Sequence, residues 1–275
     1  MTEFDAPSAI QKVRALSSES GSSSIDNVVV EEPLEIRLRK GAIEEQLGIT
    51  MRTPGADLQL AAGFLWGEGF LTKQSQLTSV KVCADRNLTP RQRANVVIAE
   101  VDESTPDFSR TLNRRFTMNS ACGVCGATNI SDLKERNIQK VATNQKPLSK
   151  LAEFADLLND NQKIFKRTGG LHAAILVNPD DQVIWSFEDV GRHNAVDKVI
   201  GAALFDDAIP LGGWSLVVSG RIGYEIVQKA ICAGISALVG VSAPTSLAIE
   251  LAEEFNLTLV AFARNGKANQ YLKLN

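Results

Sequence analysis

The C-terminal part of the chain alternates apolar runs with helical patterns, and this alternation constrains the fold more than any other feature. Near-continuous apolar runs at residues 214–218, 237–241 and 257–262 predict strands, with helices at about 222–233 and 244–255 between them. Strands that are apolar on both faces belong to sheets covered by helices, and such sheets are mostly parallel. The pattern therefore predicts an α/β domain with a largely parallel sheet.

The preceding segment predicts a strand hairpin between two helices. Strands are expected at 172–177 and 183–187, joined by the turn sequence Asn-Pro-Asp-Asp, and a helical stripe covers 196–203. Another helix is expected from about Leu151 and to end near Gly169-Gly170.

The N-terminal half is richer in strands. Alternating segments at 34–38 and 43–49 predict two strands in an antiparallel arrangement, a helix is expected at about 58–65, and further strands are expected at 78–83 and 95–101. The serine-rich run before them is low in complexity, which is typical of disorder. We therefore predict four parts, namely a disordered tail (1–25), a smaller N-terminal β-rich part (26–118), a mobile loop (119–128) and an α/β cofactor-binding domain (129–275).

Composition excludes several classes of protein. The net charge of −3 over 275 residues gives no field that would attract nucleic acid. No apolar run approaches the ~20 residues that cross a bilayer, and the N-terminus lacks the cationic and apolar parts of a secretory signal. Four cysteines are too few for a disulfide scaffold. We expect a cytoplasmic protein that binds neither nucleic acid nor membrane.

The loop Ser-Ala-Cys-Gly-Val-Cys-Gly-Ala at 120–127 holds Cys122 and Cys125 two residues apart, with a glycine after each. In a reducing compartment such a pair serves redox cycling, half of a metal site, or transport of a reactive sulfur. Cys83 lies in a predicted strand, and we expect its thiol to be buried and to pack as a small apolar side chain.

The residues favour the sulfur carrier but leave the alternatives open. Zinc needs two ligands besides the thiolates, and neither a second close pair nor the deaminase signature H-x-E…P-C-x-x-C is present, so we expect no metal. A thioredoxin-type pair begins a helix in a small βαβ domain, whereas this pair follows antiparallel strands. A thiol-disulfide oxidoreductase and a non-catalytic cofactor-binding chaperone stay as alternative functions.

Four polar junctions follow the predicted strands of the α/β part. Ligands of open α/β sheets bind outside the carboxyl ends of the strands, and helix N-termini with small residues and an arginine bind anions. Helix capping alone would also explain each junction, but the set favours a long phosphorylated ligand. The junctions are Gly191–Asn194, Ser219–Arg221, Ser242–Thr245, where Pro244 is expected in the first helical turn, and Phe262–Lys267.

The chain has only two histidines. His172 begins a strand, where a structural role is the usual one, and a functional role is left open. His193 lies between Arg192 and Asn194 at a strand end, and this charged setting favours a function.

Taken together, these motifs resemble the FdhD family of formate dehydrogenase accessory sulfurtransferases over roughly residues 28 to 273. The resemblance rests on Cys-Gly-Val-Cys-Gly at 122–126, Gly-Arg-His-Asn-Ala-Val-Asp-Lys at 191–198, Ser-Gly-Arg at 219–221, Ser-Ala-Pro-Thr at 242–245 and the ending Arg264…Asn269-x-Tyr271. It implies a cytidine deaminase-like three-layer fold with a mixed sheet.

The resemblance also implies a function and a site. A cysteine desulfurase would load sulfur onto Cys122 as a persulfide, with Cys125 assisting, and the sulfur would pass to the molybdenum or tungsten of a bis(molybdopterin guanine dinucleotide) cofactor for formate dehydrogenase. We expect GDP to mimic this cofactor, and we expect a homodimer. The predicted cofactor-binding residues are Phe262, Ala263, Arg264, Asn265, Gly266, Lys267, Arg192, His193, Asn194, Ser219, Gly220, Arg221, Ser242 and Thr245. Lys267 stands where an arginine is familiar, which keeps the charge but loses a two-pronged phosphate contact.

Overall fold

A computed structural model describes residues 8–19, 21–106, 133–134 and 136–272 of the chain. The Cys122–Cys125 loop lies outside these residues. The elements of the first half are β1 (Ile10–Leu16), β2 (Ser23–Val29), β3 (Glu32–Lys40), β4 (Ile43–Arg52), α1 (Asp57–Glu68), β5 (Leu77–Val82), α2 (Pro90–Ala94) and β6 (Val96–Val101). Those of the second half are α3 (Leu148–Asn161), α4 (Phe165–Thr168), β7 (His172–Val177), β8 (Val183–Asp189), α5 (Arg192–Phe205), β9 (Ser215–Val218), α6 (Tyr224–Cys232), β10 (Ala237–Gly240), α7 (Ser246–Glu254), β11 (Thr258–Arg264) and β12 (Lys267–Gln270).

A six-stranded mixed sheet in the order β12-β11-β10-β9-β7-β8 forms the centre of the α/β part. Its parallel part consists of β9, β10 and β11, and the pairings of β7 with β8 and β9, and of β11 with β12, are antiparallel. Leu216 and Leu238 pack on the side of α5, α6 and α7, whereas Val217 and Val239 pack against α3. The sheet is therefore covered on both faces, as its apolar strands predict.

A four-stranded sheet in the order β4-β3-β6-β5 forms the N-terminal part, and α1 packs on its apolar face. The predicted strands are present, and β3 pairs with β6 in parallel while the other two pairings are antiparallel. Cys83 is buried beside Val96 and Ile98, which confirms the expected buried thiol. None of the described helices is long and apolar enough to cross a membrane.

Three local predictions are wrong. Residues 10–25 were expected in a disordered tail, but β1 and β2 pair from Ile10↔Val29 to Leu16↔Ser23, because the Ser-Gly run supplies the hairpin turn. The helix expected to end near Gly169 ends at Asn161, and the separate short helix α4 precedes that glycine. Helix α7 begins at Ser246 rather than in a turn containing Pro244, because Thr245 caps it.

The two sheets are held together by the close crossing of α1 and α5. A Cβ atom placed on Gly201 of α5 would lie 1.8 Å from the carbonyl oxygen of Gln59, and one on Gly63 of α1 would lie 1.9 Å from that of Asp197. The two backbones are therefore in direct contact, and both positions have room only for hydrogen.

A buried ion cluster lies beside this crossing. The Lys229 ammonium is 2.7 Å from Asp197 Oδ1 and 3.5 Å from Glu68 Oε1, so that it connects α6 to α5 and α1. Burial raises the pKa of Asp197 to about 6, and the positive charge of Lys229 opposes that rise. The ammonium lies between two carboxylates, and such pairing is the condition for burying ionised groups.

We predict that Gly201→Ala destabilises the protein by about 3 kcal/mol, because the added methyl group must push the α1 and α5 backbones apart. Urea unfolding followed by circular dichroism measures the change. Gly212→Ala is the matched control, since a Cβ there meets nothing nearer than 3.7 Å and its φ is not in the left-handed region. Equal stability of the two variants would contradict the close crossing.

Candidate functional site

All four predicted junctions lie along one edge of the six-stranded sheet. The parallel strands β9, β10 and β11 end there, and so does β8, because β7 runs antiparallel to both β8 and β9. The same antiparallel pairing brings the start of β7 to this edge, with His172 opposite Asp189. We call it the carboxyl edge, defined by residues 172, 189–194, 219–221, 242–245 and 262–267. Four strand spacings separate β8 from β11, a span of about 19 Å.

The first junction is organised by Asp189, which is fully buried. One carboxylate oxygen accepts hydrogen bonds from the Gly191 backbone N–H at 2.8 Å and from the Asn194 amide at 2.9 Å. The other accepts one from the Thr53 backbone N–H at 3.2 Å and lies 2.7 Å from the Lys198 ammonium. This carboxylate therefore fixes the start of α5 relative to the loop after β4.

The Asn194 side chain belongs to the hydrogen-bond network around Asp189. The prediction that it contacts the cofactor is therefore wrong. Its amide donates to Met51 O at 2.8 Å and to Asp189, and its oxygen accepts from the Thr50 hydroxyl at 3.1 Å. Both donors are used, so none remains for a ligand. A Cβ on Gly191 would lie 2.7 Å from the same amide nitrogen, which explains the glycine there.

Arg192 and His193 begin α5, whose N-cap Gly191 provides no side-chain cap. The Arg192 Nε atom is buried without a hydrogen-bond partner among the described residues. His193 Nε2 lies 3.3 Å from Glu225 Oε2 in the first turn of α6. The contact with His193 lowers the pKa of Glu225 to about 2, although burial opposes this shift. Glu225 therefore lies within ion-pair distance of His193, although His193 Nε2 makes no hydrogen bond with the described residues.

The Ser219–Arg221 junction connects β9 to α6. The Ser219 hydroxyl accepts the Ala173 backbone N–H at 2.9 Å, which leaves its own proton available. Gly220 is buried, and a Cβ there would lie 3.3 Å from Arg192 Cβ. Arg221 is exposed, and Gly223 caps α6 without a side-chain hydrogen bond. This junction thus offers a cation and the free backbone N–H groups of a helix end.

The Ser242–Thr245 junction is occupied mainly by local contacts. The Thr245 hydroxyl accepts the Ala248 backbone N–H at 3.3 Å, the usual role of an N-cap. The Ser242 carbonyl accepts the Phe262 backbone N–H at 3.3 Å. The Ser242 side chain is half-buried.

The Phe262–Lys267 segment is the turn of a hairpin rather than an irregular loop. Arg264 pairs with Lys267, and Asn265 and Gly266 between them have φ values of 51° and 68°. Two such residues form the turn that best matches twisted strands. Both cationic side chains are exposed at this tip.

Phe262 has an unusual backbone conformation. Its φ is 53°, at a register shift between β11 and β12, and its side chain is 49% exposed. A left-handed conformation costs an aromatic residue of order ~1–3 kcal/mol and is found mainly at functional sites. The neighbouring Ala263 is fully buried against the α3 side, so it supports the hairpin rather than a ligand.

The edge collects cations that have no ion pair with the residues that the structure describes. The free cations are Arg192, Arg221, Arg264 and Lys267. They accompany the N-termini of three helices in a protein of net charge −3. Such an edge can bind an extended ligand with several phosphate groups.

Sequence reasoning missed Glu225 and left His172 outside the predicted site. His172 begins β7 and lies with its Nδ1 atom 3.4 Å from the position of a Cβ on Gly220. The hairpin predicted from 172–187 could have placed His172 at this edge, since an antiparallel partner of β8 must begin where β8 ends. Glu225 had no signal of its own, because its partner lies on another helix.

Comparisons with known proteins agree with this fold. A family model described as the FdhD/NarQ family matches residues 29–274. A Streptomyces coelicolor relative named sulfur carrier protein FdhD is 42% identical over 95% of this chain and 92% of its own. A Saccharolobus solfataricus relative of the same name is 44% identical over 94% and 93%. A crystal structure of a Desulfotalea psychrophila protein, proposed to be a formate dehydrogenase accessory protein, matches 96% of each chain with a TM-score of 0.71 and 22% identity.

We predict that Lys198→Met destabilises the protein by about 3–5 kcal/mol, because it leaves the buried Asp189 carboxylate without its cation. Thermal and urea unfolding measure the loss. The control is Lys134→Met, which breaks the exposed ion pair with Glu254 and should cost no more than about 1 kcal/mol. A Lys198 variant as stable as the control would remove Asp189 from its organising role.

Proposed function

The chain belongs to the FdhD/NarQ family, and we propose on that basis that it is a sulfur carrier that serves a formate dehydrogenase. In this proposal a cysteine desulfurase supplies the sulfur. The substrate that receives the sulfur is the molybdenum or tungsten bis(molybdopterin guanine dinucleotide) cofactor, which binds at the carboxyl edge. The carrier is a homodimer and delivers the sulfurated cofactor to the dehydrogenase.

The observation that carries the proposal is the row of cations along the carboxyl edge that have no ion pair within the described part of the chain. Arg192 and Arg221 lie at helix N-termini, and Arg264 lies at the hairpin tip at the far end of the row. The ~19 Å span fits an extended dinucleotide better than a single phosphate. The half-exposed Phe262 ring can cover a flat base.

The sulfur step conserves atoms and electrons. The Cys122 thiolate attacks the outer sulfur of the desulfurase persulfide, so that one S–S bond breaks, a new one forms on Cys122, and the donor leaves as a thiolate. The terminal sulfur then passes to the metal, which supplies two electrons to make it a sulfide ligand, and Cys122 returns to the thiolate. Cys125 is assigned the role of exchanging or resolving thiol.

We predict that Cys122→Ala leaves the fold intact and abolishes both loading and activation of the dehydrogenase. Mass spectrometry after incubation with a desulfurase and cysteine should show one added sulfur, about 32 Da, on the wild type and none on the variant. Cys83→Ala is the control, because Cys83 is a buried thiol of the small sheet.

The same experiment distinguishes the rival functions. A thiol-disulfide oxidoreductase would lose two hydrogens rather than gain sulfur. A cofactor-binding chaperone would activate the dehydrogenase without Cys122. Full activation by Cys122→Ala would therefore refute the carrier.

We predict that GDP binds more tightly than ADP, and that binding weakens as salt rises because exposed phosphate contacts are screened. Arg221→Ala should weaken GDP binding by about 1.5–3 kcal/mol if the guanidinium makes a charge-assisted hydrogen bond. Isothermal titration calorimetry measures both effects.

Lys134→Ala is the matched control for this titration, since Lys134 pairs with Glu254 at the end of α7 that points away from the carboxyl edge. Equal affinities for GDP and ADP would remove guanine selectivity. Equal losses for the Arg221 and Lys134 variants would remove Arg221 from the site.

A further inference from the structure

His172 lies on the carboxyl edge, and neither helix capping nor strand pairing requires its imidazole side chain. It is the first residue of β7 and is half-buried, opposite Asp189 in the register with β8. No described hydrogen bond or ion pair uses its imidazole. Any residue at this position could make the backbone pairing with β8, so the side chain is available for another role.

The space above Gly220 explains where the imidazole points. A Cβ on Gly220 would lie 3.4 Å from His172 Nδ1, 3.3 Å from Arg192 Cβ and 3.4 Å from Arg192 Cδ. The imidazole and the arginine stem therefore both lie next to Gly220 in the β9–α6 turn, where the absence of a side chain leaves them room. The buried Nε atom of the same arginine has no described partner.

The charges around His172 are arranged against a second positive charge. Burial, then Arg192 and His193, lower the pKa of His172, and Asp189 acts weakly in the opposite direction. Asp189 is already engaged with Lys198. On the α6 side, Arg221 is exposed and Glu225 is paired with His193.

We propose that His172 is a ligand-contacting residue of the carboxyl edge, and that its imidazole takes up a proton when a phosphate group of a guanine nucleotide binds beside Arg192. The inference rests on the proposed function and deepens it. The free protein keeps His172 neutral, which avoids a second positive charge beside Arg192. A bound phosphate reverses this balance, since an anion within ~4–6 Å favours the charged imidazole. Phosphate binding and protonation are then linked.

Nuclear magnetic resonance of the protein labelled at histidine tests the inference directly, because the chain has only two histidines. Spectra at pH 7.5 are recorded for the free protein and with saturating GDP, and His172→Gln assigns the signals. We expect the His172 signal to move to the position of a protonated imidazole on GDP binding. If the Gln variant does not fold, His193→Gln assigns the same signals by elimination.

Two further ligands separate the phosphate from the base. Pyrophosphate should charge His172 and guanosine should not, and GDP should bind more tightly than pyrophosphate if the phosphate belongs to a nucleotide. Calorimetry in buffers of different ionisation enthalpy should show proton uptake with GDP for the wild type, and its loss together with several-fold weaker binding for His172→Gln.

The results distinguish failure of the His172 proposal from failure of the proposed nucleotide binding. If GDP binds while His172 stays neutral, or if guanosine alone charges it, the role of His172 is refuted and nucleotide binding stands. If neither GDP nor pyrophosphate binds, the nucleotide part of the proposed function fails and the role of His172 fails with it. Equal affinities for GDP and pyrophosphate would refute the assignment to a nucleotide phosphate.

Discussion

The buried carboxylate of Asp189 is the interaction on which the carboxyl edge depends. It accepts three hydrogen bonds and faces the ammonium of Lys198, so the cost of removing two charges from water is offset by a complete set of partners. A hydrophobic pair of the same volume could be as stabilising. It could not direct the first turn of α5 toward the edge while holding the loop at Thr53 in place.

Cations are distributed unequally over the molecule. On the outer face of the small sheet, Arg37 and Arg39 pair with Glu44, and Arg52 pairs with Asp57 inside the protein. Along the carboxyl edge, the buried Lys198 pairs with Asp189, whereas the exposed cations have no such partner among the residues that the structure describes. The edge is therefore locally positive and attracts anions, although the whole protein carries a net charge of −3.

The succession of strands and helices along the chain could be predicted from apolar runs and turn residues, because these signals are local. The shared edge followed from the parallel arrangement that apolar strands favour. The Asn265-Gly266 hairpin also had a local signal, the strongest known for a two-residue turn, but it was interpreted as a ligand loop. The roles of Asn194 and Glu225 could not be predicted, because their partners lie far away in sequence. The Ser-rich run near Gly21 was ambiguous, since its residue types are typical of both turns and disorder.

Asn194 accepts a hydrogen bond from the Thr50 hydroxyl and donates one to Met51 O, and these two bonds have a consequence for local opening of the fold. Strand β4 cannot separate from α5 without breaking the hydrogen bonds that join the Asn194 side chain to Thr50 and Met51, which leaves the Asn194 oxygen and one of its amide hydrogens without these partners. The last residues of β4 and the first turn of α5 therefore belong to one cooperative unit, with a single opening free energy. Amide hydrogens of the small sheet near Thr50 should exchange with solvent together with those of the edge, so that a ligand bound to one sheet slows exchange in the other.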